Sequence, residues 1–107
     1  MSDTLVFEVP GLPPLTVEGR RAAGLISDAK SVMRRSKFSR ISNEGAKLKI
    51  EFLARTASGF SDPAAIINGV TLALEKAGLL SRASIRELIF IRKTGAETKY
   101  IICLSRI

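Results

Sequence analysis

Histidine is absent from the 107 residues of this chain. That removes Ser-His and Cys-His catalytic pairs, and with them the usual Cys/His zinc sites. Tryptophan is absent too, and aromatic residues make up only 6% of the chain, too few for a platform that stacks single-stranded bases. The single cysteine, Cys103, has no partner for an internal disulfide, so a reducing, cytoplasmic setting is the expectation. Set inside an apolar run, it reads as an inert core residue. No apolar run approaches the ~18 residues of a membrane span. Met1-Ser-Asp-Thr4 lacks the basic and long apolar regions of a secretion signal. Gly45, Gly59, Gly69 and Gly78 do not form the spacing of a phosphate-cradling loop. The chemistry that remains belongs to carboxylates, lysines, hydroxyls and a hard cation.

What the chain has in excess is positive charge. Lysine and arginine number 17 against 10 acids, a net charge of +7. Such a surplus points to an anionic partner, nucleic acid before an acidic protein. Arg20, Arg21, Lys30, Arg34, Arg35, Lys37 and Arg40 lie close together, opposed only by Asp28, so one short stretch carries most of the net charge. A second cluster comprises Arg82, Arg86, Arg92, Lys93 and Lys99. Phosphate binding favours such concentration, because counterion release scales with the phosphates neutralised. The alternatives are an acidic protein partner and a solvated face that keeps a small chain in solution.

Periodicity places the elements of one domain spanning residues 1–107, with no repeat and no linker. Leu5–Val9 alternates as a first strand, stopped by Pro10-Gly-Leu-Pro-Pro14. From Glu18 to Ser36, Ala22, Ile26, Ala29 and Met33 recur at helical spacing, and Leu25 and Val32 widen the stripe. Lys30, Arg34 and Lys37 then form a basic stripe at i, i+4 and i+7. A loop over Ser39–Ala46 leads to Lys47–Ala54, where Leu48, Ile50, Phe52 and Ala54 alternate with Lys47, Lys49 and Glu51. After a loop over Thr56–Ser61, Asp62 and Pro63 read as the cap and first residue of a second, more apolar helix, which Gly78 ends. Ile85–Ile91 and Tyr100–Leu104 are strands joined near Lys93–Glu97.

The expected fold is therefore α/β of the α+β kind, a two-layer domain with a mixed four-stranded sheet, two principal helices and the order β-α-β-α-β-β. Leu88–Ile91 and Tyr100–Leu104 are continuous apolar runs, which predicts cover on both faces of those strands. Two helices cover one face of so small a sheet. The surplus predicts a second subunit over the other face, in a symmetric homodimer; one helix on each face is the alternative.

The stretch Ser61-Asp-Pro-Ala-Ala-Ile-Ile-Asn-Gly-Val-Thr-Leu-Ala-Leu-Glu-Lys-Ala-Gly-Leu-Leu80 resembles the central segment of the RusA family of Holliday-junction resolvases. Ala73-Leu-Glu-Lys-Ala-Gly78 matches the family's helix end, and Phe7-Glu-Val-Pro-Gly-Leu-Pro-Pro14 its first strand and proline-rich loop. The element order fits over most of the chain. The resemblance implies a small cytoplasmic homodimer, common in prophages, that acts in DNA recombination and repair by cutting four-way DNA junctions with magnesium.

The catalytic pattern of that family is degenerate here. The resemblance expects Asp-x-Asp-Asn at the helix start, then a lysine four residues after the second Asp, and an acid after the Lys-Ala-Gly turn. Only Asp62 matches; Ala64, Ala65 and Asn68 replace the others, and Arg82 and Ala83 stand at the later acidic position. Magnesium is held by carboxylates with water and substrate phosphate, and two-metal cleavage needs more than one acid. The leading expectation is a RusA-like protein without nuclease activity and without a cofactor. It would bind branched or duplex DNA through Arg20, Arg21, Lys30, Arg34, Arg35, Lys37, Arg40 and Arg82. One alternative is an active magnesium-dependent endonuclease with a relocated site in which Asp62 and Glu87 are catalytic and Asp62 holds the metal. Another is a regulatory module that docks an acidic protein. Asp62 as a plain helix cap, Glu87 as a charge on a wet strand edge and Lys76 as a partner of the helix dipole are the structural readings of the same residues.

Overall fold

In the computed structural model the described residues are 3–42, 44–56 and 62–107. The loop expected over Thr56–Ser61 lies mostly outside them, as does Asn43. Strand β1 (Thr4–Pro10) turns Leu5, Phe7 and Val9 inward, as its alternation dictates. Helix α1 (Arg20–Ser36) starts two residues later than its periodicity suggested, because the backbone turns at Gly19 with φ 93°. Ala22, Leu25 and Ala29 are fully buried, and Ile26, Val32 and Met33 pack partly against the same core. The helix ends at Lys37, which takes a left-handed φ of 55°.

Strand β2 (Ala46–Ala54) buries every second residue from Ala46 to Ala54. Helix α2 (Pro63–Lys76) begins as its sequence predicts: the Asp62 carboxylate accepts from the Ala64 N–H at 3.2 Å, and Pro63 needs no donor there. It ends at Gly78, whose φ of 82° suits a residue without Cβ. The Leu79 N–H reaches back to the Leu74 carbonyl and the Gly78 N–H to that of Glu75, the paired bonds of a Schellman motif. Ile66, Val70, Ala73 and Leu74 are completely buried, making this the more buried helix of the two. A short 3-10 turn, Arg82–Ser84, leads into β3 (Ile85–Thr94), and β4 (Lys99–Arg106) follows.

The fold is α+β: one mixed sheet in the order β1-β4-β2-β3, with the elements in the chain order β-α-β-α-β-β. Strand β2 runs parallel to β3 and antiparallel to β4, and β1 pairs antiparallel with β4. Strands β3 and β4, consecutive in sequence, are not neighbours. The connection between them crosses the end of β2, where the Gly95 N–H donates to the Ala54 carbonyl at 2.9 Å and Arg55 Nε to the Ala96 carbonyl at 3.1 Å. This puts β4 in the interior of the sheet, where Tyr100, Ile102 and Leu104 are essentially inaccessible.

Both helices pack on one face, over a single core that includes Phe7, Leu25, Leu48, Ile50, Leu74 and Ile102. Cover on both faces, expected for the apolar runs of β3 and β4, is not realised among the described residues. On the second face Ile89, Ile91, Ile101 and Cys103 stay half-buried, aligned in register with Lys49 and Glu51 of β2. Ion pairs run between the charged side chains of this face: Lys99 with Glu8 at 2.9 Å, Lys93 with Glu51 at 3.1 Å, Lys49 with Glu51 at 3.9 Å and Lys47 with Glu87 at 4.0 Å. Long charged side chains of this kind shield apolar neighbours with their stems. Cys103 is therefore half-buried on the wet face and not in the core. No helix of the described residues is long and apolar enough to cross a membrane.

Candidate nucleic-acid interface

The cations of the 20–40 stretch are all exposed, and α1 distributes them around itself. Lys30 and Arg34, one turn apart, flank a shallow groove with Ala23, Ile26 and Ser27. Arg35 lies on the opposite flank, beside Asp28, Ser31 and Val32, in a groove between α1 and β1. Arg20 and Arg21 border a third hollow where the proline-rich segment enters the helix. The helix thus carries cations on both flanks, where the sequence spacing suggested one stripe. Lys37, the third member of that stripe, is the left-handed C-cap and leaves the helical projection.

Their electrostatic setting differs from that of the sheet. All four lysines of the open sheet face, Lys47, Lys49, Lys93 and Lys99, are ion-paired. Lys99 is the clearest case: the hydrogen bond and the charge of Glu8 raise its pKa above the ordinary value of 10.5. Among the described residues no ion pair engages Arg20, Arg21, Lys30, Arg34, Arg35, Lys37 or Arg40. With Asp28 the one acid on α1, its cations outnumber the carboxylates near them among the described residues, and cations without ion pairs are what a polyanion can neutralise.

The segment after α1 is held by contacts that the sequence does not signal. Ile41, fully buried, bridges Leu80 in parallel; its N–H donates to the Leu79 carbonyl and its carbonyl accepts from the Ser81 N–H. The bridge puts Arg40 and Arg82, far apart in sequence, beside one strand-like crossing. Arg106 pins the same segment from the other side. Its guanidinium pairs with Glu44, donates to the Ser39 carbonyl and, at 2.8 Å, to the Ser39 hydroxyl, and stacks 4.7 Å over the Phe38 ring. An arginine next to the last residue of a chain gives no sequence sign of such a role.

Arg82 is anchored on α2. Its N–H donates to Glu75 Oε2 at 3.0 Å, and its guanidinium reaches Asn68 Oδ1 at 3.3 Å. The resemblance expects a lysine and an acid at these two positions, and the fold does bring the positions together. In this chain they hold an amide and a guanidinium, with the Glu75 carboxylate beside them.

Asp62 and Glu87 are not brought together. Asp62 caps the start of α2, beyond the end of β2. Glu87 is in register with Lys47 at the other end of β2 and faces the open side of the sheet. The length of α2, 14 residues or ~21 Å, separates the two ends. Among the described residues no group of three or more acids or cysteines is gathered that could hold a metal ion. The positions where the resemblance implies acidic magnesium ligands carry Asp62, Ala64 and Arg82, a donor set that does not fit a hard dication. No protein-family model matches this chain, and no curated protein matches it in sequence.

Proposed function

We propose that this chain is a nucleic-acid-binding protein of RusA-like shape, without phosphodiester cleavage of its own. It binds branched or duplex DNA, and the groups that grip the phosphates are Arg20, Arg21, Lys30, Arg34, Arg35, Lys37 and Arg40, joined by Arg82. The observation that supports this most is the segregation of charge. The sheet's lysines are matched by carboxylates, while the helix's cations have none among the described residues. Cations on both flanks of α1 suit a ligand with two rows of phosphates better than a single acidic peptide. The separation of Asp62 from Glu87 argues against the relocated endonuclease site.

The test is fluorescence anisotropy of a labelled duplex and a four-way junction over a salt series, with a magnesium-dependent scission assay in parallel. If five of the cations meet phosphates of a duplex, log K falls with log salt at a slope of about −4.5. Salt-independent affinity, or no affinity, ends this reading, and tight salt-sensitive binding of an acidic protein in its place favours a regulatory module. Robust scission by the wild-type chain removes the claim of inactivity.

A further inference from the structure

Among the described residues the sheet ends at β3, a strand of ten residues paired only with β2. A long exposed edge is a template for another strand, and β3 carries no proline to block one. Its central residues, Leu88, Ile89, Phe90 and Ile91, are only half-buried on both faces. We propose that β3 pairs antiparallel with β3 of a second copy of this chain, about a two-fold axis through Phe90, so that two four-stranded sheets join into one.

The commitment to a second copy comes from how β3 complements itself. An antiparallel pair about a two-fold axis perpendicular to the sheet sets residues of the same face opposite each other, so the register centres on a residue. Centring on Phe90 sets Glu87 opposite Lys93 of the second copy, twice, and Ile89 opposite Ile91, twice. Centring on Ile89 instead sets Glu87 opposite Ile91 and so leaves both Glu87 and Lys93 without an opposite charge across the seam. Centring on Ile91 leaves Glu87 opposite no strand residue; the Phe90 register sets Leu88 opposite Arg92 but alone gives Glu87 and Lys93 each an opposite charge.

The favoured register also extends a charge pattern already present. Lys47 pairs with Glu87, and Lys93 with Glu51, within one copy. Across the seam the order becomes Lys47, Glu87, then Lys93 and Glu51 of the second copy, alternating in sign throughout. On the helix face Phe90 meets Phe90 of the second copy. The other free edge, β1, offers no such match: it ends in Pro10, and Glu8 is its only charged residue.

Edge pairing also replaces the face-to-face dimer that the apolar runs suggested. Stacking two open faces would bury the ion-paired lysines and glutamates of both copies, and desolvating such pairs often costs more than their attraction returns. This inference stands apart from the nucleic-acid reading, since no cation of α1 takes part.

The test is sedimentation equilibrium of the full chain, without nucleic acid, with Glu87→Lys, Lys93→Glu and the double exchange. The wild type is expected to dimerise, each single reversal to weaken dimerisation at least tenfold, and the double exchange to recover part of that loss, because it re-forms the pair across the seam while setting like charges beside Lys47 and Glu51. Circular dichroism of each variant checks that it folds. Register is read independently in a Cys103→Ser background. Phe90→Cys is expected to form a disulfide-linked dimer on mild oxidation, because antiparallel partners lie ~4.5–5.5 Å apart at Cα, within disulfide range. Ile89→Cys alone is expected not to link, but to link when mixed with Ile91→Cys. A wild-type monomer at millimolar concentration overturns the proposal. So does a dimer indifferent to both charge reversals, or one that crosslinks through Ile89→Cys alone.

Discussion

The carbonyl oxygen of Pro14 lies 2.1 Å from the point where a Cβ on Gly69 would stand, so the proline-rich segment rests directly on the backbone of α2. The neighbouring Leu15 carbonyl carbon is 2.7 Å from the same point. Both obstacles are backbone and cannot rotate away. Gly69→Ala therefore forces the 11–19 segment off the helix, at a cost of about 3 kcal/mol. Urea unfolding checks this, with Gly24→Ala as the control: Gly24 lies in α1 with open space at its Cβ, and alanine there should stabilise by up to ~1 kcal/mol.

Tyr100 is the only tyrosine, is 1% exposed, and its hydroxyl has no hydrogen-bond partner among the described residues. Burial first, and then the negative charge of Asp28, push its pKa well above the ordinary value of 10.0. The unfolded chain releases this proton before the folded chain does. The stability it contributes is whole below about pH 10 and is lost progressively as the pH rises from there. Tyr100→Phe is expected to flatten that alkaline decline and to stabilise by about 1 kcal/mol, since it removes a buried polar group that has no partner. With no tryptophan in the chain, absorbance near 295 nm follows the phenol alone, and the phenolate should appear only as the protein unfolds.

Lys37 separates stability from binding. Its left-handed conformation strains a residue with a Cβ by roughly 1 kcal/mol. Lys37→Gly should raise the unfolding midpoint and at the same time reduce the salt slope of DNA binding by about one, if Lys37 meets a phosphate. Arg34→Ala and Arg35→Ala, on opposite flanks of α1, should each lower the slope by about one without changing stability. Unchanged slopes for both would remove α1 from the interface.

Arg106→Ala is expected to destabilise by about 2 kcal/mol, through loss of the Glu44 pair, the Ser39 hydrogen bonds and the stack on Phe38. Arg106→Lys should recover only part, because an ammonium lacks the planar fork that serves several acceptors at once. Amide exchange in residues 38–42 should rise in both variants.

Asp62→Ala should cost about 1 kcal/mol through the lost cap of α2, while DNA affinity holds or rises with the removal of a negative charge. A fall in binding on adding a chelator would instead point to a metal at Asp62. Titration with magnesium, followed by thermal shift, reads both outcomes.

Much of this architecture is determined along the chain. The alternation in Leu5–Val9 and Leu48–Ala54, the Asp62-Pro63 start and the Gly78 stop depend on neighbours a few residues away, and each element formed where its pattern placed it. The concentration of positive charge is likewise a property of the sequence. Tertiary structure alone decided that β4 lies between β1 and β2, that the apolar runs face an ion-paired surface and not a second helix layer, and that Asp62 and Glu87 stand apart. It also brought Arg82 to Asn68, and Arg106 to Phe38 and Ser39, across long stretches of chain. These outcomes depend on which strand fills which slot in the sheet. That choice is set by the total burial of a shared core, a sum over distant residues that no local pattern encodes.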